Sequence, residues 1–91
     1  MSALSPAKNL IEVEDKELLK LYINGEIEAL SELFKRHNSK MKTIAYRITK
    51  NSADAEDVVQ NALISVMRSA HKFRGEAAVS TWLFRIVTNA A

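Results

Sequence analysis

The residues in this chain whose types and spacing could do chemistry are suited to binding. Trp82, Arg85 and Asn89 recur at i, i+3 and i+7, which stacks side chains on one helix face, and they follow a Phe73-Arg74-Gly75 segment. An aromatic ring, a guanidinium and an amide beside a loop are what single-stranded nucleic acid needs. Rings stack on unstacked bases, cations hold phosphate, and an amide reads a base edge. Trp82 equally suits core packing. A second constellation, Asp57, Gln60, Asn61, Ile64, Arg68 and His71, falls in a narrow arc of a helical wheel, with Ile64 set among polar residues. With Asp54 and Glu56 adjoining, it forms an acidic-plus-apolar patch that suits a basic helical partner, although a single exposed isoleucine is by itself ordinary.

Catalytic patterns are missing from the sequence. It contains no glycine-rich phosphate loop, no His-Glu-x-x-His, no Glu-x-x-His pair and no serine elbow. His37 and His71 stand apart from other ligand types. The carboxylates Asp54, Glu56 and Asp57 are accounted for by the start of a helix, where negative charge meets the positive end of the macrodipole. The expectation is a binding domain that is not an enzyme, with no metal and no cofactor.

Four helices are expected to position these groups. Residues 1–14, with Pro6 and no clear period, read as a flexible arm. Residues 15–24 carry Leu18, Leu19 and Tyr22 at helical spacing, and Gly25 stops that helix. A second helix is predicted over 26–50, with Ile27, Leu30, Phe34, Met41, Ala45 and Ile48 inward and a weak spot at Asn38-Ser39. Ser52 is the expected cap of a third helix whose buried stripe is Ala55, Val59, Ala62, Val66, Ala70 and Phe73, flanked by Val58, Leu63 and Met67. A loop over 74–79 follows, and Ser80 or Thr81 is expected to cap a fourth helix with Leu83, Ile86, Val87 and Ala90 inward. That pattern reaches Ala91 without a stop signal, so the sequence reads as cut at its C-terminus.

Composition sets the class. The chain has 91 residues, 47% hydrophobic and 26% charged, with two glycines, one proline and no cysteine. That is globular, too poor in turn residues for a sandwich or barrel, and fits a compact all-α bundle in a reducing cytoplasm. No apolar run approaches the ~20 residues of a membrane span. The net charge of +2 conceals segregation: residues 1–34 hold seven acids and three bases, whereas residues 35–50 hold Lys35, Arg36, Lys40, Lys42, Arg47 and Lys50 and no acid. This block reads as a solvated face, with upstream DNA as the other reading.

In combination, Asp54-Ala55-Glu56-Asp57-Val58-Val59-Gln60, Phe73-Arg74-Gly75-Glu76 and Ser80-Thr81-Trp82-Leu83-Phe84-Arg85-Ile86 resemble region 2 of bacterial sigma factors of the extracytoplasmic-function (ECF) group. The resemblance covers residues 15–91. It implies a helical domain that docks on the β′ clamp helices of RNA polymerase core, binds the promoter minus-ten element and captures melted non-template bases during transcription initiation. By position, Asp57 and Gln60 match the family's polymerase contacts. Asn61 replaces the usual glutamate, and Asp54 and Ile64 share the surface. Phe73 and Arg74 match the start of the loop that accepts a flipped base, with Ser69 lining the pocket, and Trp82, Arg85 and Asn89 match the helix along the DNA. The resemblance also implies an anti-sigma factor as partner, and a longer factor whose helix-turn-helix domain (region 4) is missing from this chain. The alternative is a helical protein-interaction domain that does not touch nucleic acid.

Overall fold

The computed structural model describes residues 9–91, all of whose α-helices and 3-10 turns follow one another without a strand. The helices are α1 (Asp15–Ile23), α2 (Ile27–Thr49), α3 (Ser52–Ser69) and α4 (Val79–Ala90), with 3-10 turns at Leu10–Glu12 and Ala70–Lys72. No helix among the described residues is long and apolar enough to cross a membrane.

Gly25 ends α1 as expected, and the geometry gives the reason. Its φ of +107° is left-handed, the Gly25 amide donates to the Tyr22 carbonyl, and the Glu26 amide donates to that of Leu21. This is a Schellman motif, in which the residue after the cap needs a positive φ that glycine adopts without steric cost. α2 continues through Asn38 and Ser39 without interruption and ends on Lys50, a non-glycine residue at φ +60° whose amide donates to the Tyr46 carbonyl.

Two caps differ from expectation. At α3 the cap is Asn51, whose Oδ1 accepts from the Asp54 amide at 3.0 Å, and Ser52 is the first helical residue. The left-handed Lys50 sets the chain so that Asn51 is the extended residue ahead of the helix, and asparagine caps as well as serine. α4 starts at Val79 after Ala78, with no side-chain cap from Ser80 or Thr81. Val79 is buried in the core, and packing one residue earlier outweighs a capping bond.

The core has two clusters. Leu18, Leu19, Leu30, Leu33, Val66 and Leu83 centre the first, and Met41, Ala45, Ala55, Ala62 and Val87 the second. Phe34, Phe84 and Ile86 pack against both. Ile27 and Ile48 depart from the expected inward pattern, with exposures of 70% and 47%, and Met67, expected to flank the α3 stripe, is 44% exposed. The two isoleucines lie near the ends of α2, whose 23 residues outreach the 12 of α4. Met67 lies on the border of the α3 stripe and turns outward.

Arg36 also departs from its expected place on a solvated basic face. Its guanidinium donates to Glu32 Oε2 (3.0 Å), Asp15 Oδ1 (3.0 Å) and the carbonyls of Leu10 (2.8 Å) and Ile11 (3.0 Å). Burial works against its charge, but the bonds from Asp15 and Glu32 outweigh it and hold the pKa above the ordinary arginine value. His37 is likewise engaged, with Nε2 2.8 Å from the other Asp15 oxygen and its ring edge-on to Phe84. Residues 1–8 of the expected arm lie outside the described residues, while its 3-10 turn is held against α2 by Arg36.

Candidate nucleic-acid and partner-protein interfaces

The segment from Ala70 to Val79 positions the first candidate site. The 3-10 turn closes with the Phe73 amide donating to the Ala70 carbonyl, after which the chain extends at Phe73 and turns at Gly75, φ +79°. Phe73 is thereby set beside the first turn of α4, where its ring meets Trp82 at a centroid separation of 5.2 Å and a tilt of 58°. Both rings are half-buried and pack against the first core cluster, so Trp82 serves the core and the surface together.

An open cleft of about 180 Å³ lies over this pair. Phe73, Trp82 and Ala77 provide its apolar wall, and Lys72, Arg74, Arg85 and Glu76 surround it with charge. An aromatic wall edged by three cations can take a stacked ring bearing phosphate. Four of the six residues named for this role by sequence, Phe73, Arg74, Trp82 and Arg85, line the cleft. Asn89 is exposed on the same face of α4, one turn beyond Arg85. Ser69 is half-buried at the end of α3 and is not part of the lining. Sequence reasoning missed Lys72 and Glu76, although Glu76 closes the Phe73-Arg74-Gly75-Glu76 motif.

The second candidate site is the outer face of α3. Asp54, Asp57, Gln60, Asn61, Ile64, Arg68 and His71 are all exposed, as the wheel required. Ile64 is 44% exposed, and Met67, Ile23 and Ile27 are exposed as well. Met67 and His71 line a cleft of about 370 Å³ with Tyr22, Ile23 and Ile27 at the α1–α2 turn. At the other end Gln60 lines a smaller cleft of about 130 Å³ with Phe34, Asn38 and Leu63. The face is thus acidic toward the start of α3 and apolar toward its end, a pattern that fits a protein partner. Sequence reasoning placed Ile27 inward and Met67 at the flank of the buried stripe, and so missed the apolar part.

The basic block divides. Arg36 is tied down, Lys40 lies 6.0 Å from the Phe84 ring centroid, and Lys35, Lys42, Arg47 and Lys50 are exposed. Among the described residues, no cluster of three or more His, Cys, Asp or Glu side chains could hold a metal ion.

Sigma-70 region 2 matches residues 33–91. The chain is 43% identical over 79 residues to the ECF RNA polymerase sigma factor SigM of Mycobacterium tuberculosis, covering 87% of this chain and 40% of that protein. It is 32% identical over 82 residues to the RNA polymerase sigma-H factor of Pseudomonas aeruginosa, covering 90% and 42%. With the ECF RNA polymerase sigma-E factor of Escherichia coli K12 it is 35% identical over 80 residues, covering 88% and 41%. The chain spans about two fifths of the length of these curated relatives. Its helical fold, its motifs and these likenesses agree that the chain belongs to the sigma-70 region 2 family, in the ECF group.

Proposed function

We propose that this chain is the promoter-recognition domain of an alternative sigma factor. It docks on RNA polymerase core through the α3 face, with Asp54, Asp57, Gln60, Asn61 and Ile64 against the β′ clamp helices. The face made by the 73–78 loop and α4 holds melted non-template bases of the minus-ten element. Polymerase performs the chemistry, and this domain supplies recognition. The same reading makes an anti-sigma factor a partner and the cytoplasm the place of action.

The observation that carries the reading is the convergence of Phe73, Arg74, Trp82 and Arg85 on one cleft in a chain of this family. The cleft supports base capture as follows. Unstacking a base costs a few kcal/mol, which stacking on an aromatic ring offsets by about 1–3 kcal/mol, with phosphate contacts adding the rest. Phe73 and Trp82 hold one another in place and leave ring surface at the cleft. Asn89, further along α4, reads a neighbouring base. A net charge of +2 gives weak attachment to DNA by the domain alone, since non-specific affinity comes from neutralised phosphates.

Fluorescence anisotropy of labelled non-template minus-ten oligonucleotides, with and without polymerase core, tests this against a scrambled control. Core-dependent preference for the minus-ten strand is expected. Binding to core with no preference for any oligonucleotide would leave a protein-interaction domain instead.

A further inference from the structure

Across Phe73 from the cleft already described lies a second one, of about 290 Å³, between α1 and the loop after Ala70–Lys72. Its α1 side is Lys16, Leu19, Lys20 and Ile23, spaced i, i+3, i+4 and i+7 on one helix face, so cation and apolar side chain alternate along it. Its other side is Phe73, Arg74 and Gly75. Leu19 is buried and forms the floor, and Ile23 is 46% exposed as a wall.

Three cations converge here with no carboxylate in the lining. Arg36 and His37 make ion pairs with Asp15 and Glu32, whereas Lys16, Lys20 and Arg74 have no acidic partner among the described residues. Two lysines at i and i+4 repel one another, and the fold brings a third cation up to them. An anion relieves that repulsion, while an apolar floor beside it takes the flat face of a base. The volume falls just short of the ~300–1,000 Å³ of a small-molecule pocket, which suits one base with its sugar and phosphate outside.

We infer that this second cleft is a nucleotide subsite, taking a nucleotide that flanks the minus-ten element on the single strand whose flipped base occupies the Phe73–Trp82 cleft, with Lys16, Lys20 and Arg74 on its phosphates. The inference rests on the proposed function and extends it to α1, which lies outside the matched region 33–91. Phe73 and Arg74 line both clefts, so a strand leaving the first passes over Arg74 and Gly75 into the second. Gly75 carries no side chain at that crossing, and the space where a Cβ would sit is open. This continuity favours nucleic acid over an acidic peptide as the occupant.

The test uses the chain assembled with polymerase core and a fluorescein-labelled non-template oligonucleotide. One probe covers the minus-ten element alone, and two others extend it by a few nucleotides on either side. Wild type should gain affinity with one of the extensions. Lys16→Ala with Lys20→Ala should bind the short probe as wild type does but lose that gain, about tenfold in Kd at low salt. The salt slope on the extended probe should fall by about 1.4, two lysines at ~0.7 each. Lys16→Arg with Lys20→Arg should restore the gain. Both lysines are exposed, so helicity and thermal midpoint should not change. An equal gain in the alanine variant and wild type, or no gain in either, overturns the subsite. So does lysine-dependent binding of an acidic peptide without any extension gain, which would assign the cleft to a protein. If wild type does not distinguish the short probe from a scrambled one, the proposed function itself fails and the subsite with it.

Discussion

Phe73 and Trp82 meet at 5.2 Å between ring centroids, tilted by 58°, from opposite ends of the loop that joins α3 to α4. The pair closes that loop without a hydrogen bond between its ends, and each ring also touches the core. The contact should be worth about 0.5–1.5 kcal/mol beyond the area buried, the usual range for a tilted aromatic pair. Urea denaturation of Phe73→Leu, Trp82→Leu and the double variant should give a coupling energy of that size. Additive losses would mean that the two rings contribute independently.

Arg36 joins three parts of the chain that local periodicity does not connect. Arg36→Ala should cost about 1–2 kcal/mol, a loss of charged hydrogen bonds discounted for the 23% exposure of the side chain. Arg36→Lys should recover little of it, because one ammonium cannot reproduce a fork that reaches four acceptors. Hydrogen exchange should speed up over residues 10–18 in both variants. The raised pKa makes the Arg36 contribution fully present below the unfolded value, lost only as pH rises through the folded one. Arg36 titration should therefore leave stability flat around neutral pH.

The two candidate caps of α3 separate cleanly. Asn51→Ala should destabilise by about 1 kcal/mol through loss of the bond to the Asp54 amide. Ser52→Ala should change stability by less than about 0.5 kcal/mol, as at other exposed positions without a special role. Thermal melts of the two variants check the assignment, and a larger loss at Ser52 would reverse it.

On the α3 face, Asp57→Lys should weaken binding to β′ clamp helices by about 1–3 kcal/mol, the range for a charged interfacial hydrogen bond. The fold should survive, with stability changed by no more than about 0.5 kcal/mol, since Asp57 is exposed and past the first turn of α3. Titration of a clamp-helix fragment by calorimetry reads this directly, and wild-type affinity would remove Asp57 from the interface.

On α4, Arg85→Ala should weaken all DNA sequences about equally and lower the salt slope by ~1. Asn89→Ala should instead relax preference at one base position by about 1–3 kcal/mol. Polymerase complexes carrying each variant, measured against every single-base change in the minus-ten element, distinguish the roles. An unchanged preference profile for Asn89→Ala would leave α4 as a general contact surface.

Much of the fold was legible because helix periodicity and glycine breaks are local. The span 26–50 came within one residue of α2 at each end, and Gly25 stands where α1 stops. The placement of Phe73 and Arg74 beside Trp82 and Arg85 was legible too, since a short loop leaves few ways to join α3 to α4. What failed depended on distance in the chain. Arg36 belongs to a basic run by sequence, yet its main partner Asp15 is 21 residues away. Ile27 and Ile48 fit the α2 stripe, but the neighbours that would cover them do not reach the ends of so long a helix. Neither Lys16 nor Lys20 stands out in the sequence, because only the fold sets Arg74 opposite them.

α4 lies against both packing clusters at once, through Phe84 and Ile86. Sliding or rotating it would open cavities in two places, each costing several kcal/mol for large side chains. Under the proposed function, the outer face that carries Trp82, Arg85 and Asn89 is therefore a ruler whose spacings the packing of α4 sets before a strand arrives. Association then demands little ordering of the protein, and the entropy lost on binding falls on the nucleic acid. Under the proposed function, strands already unpaired or easily kinked should engage this surface first, which would make the packing of α4 a filter on DNA deformability, separate from the reading of any base.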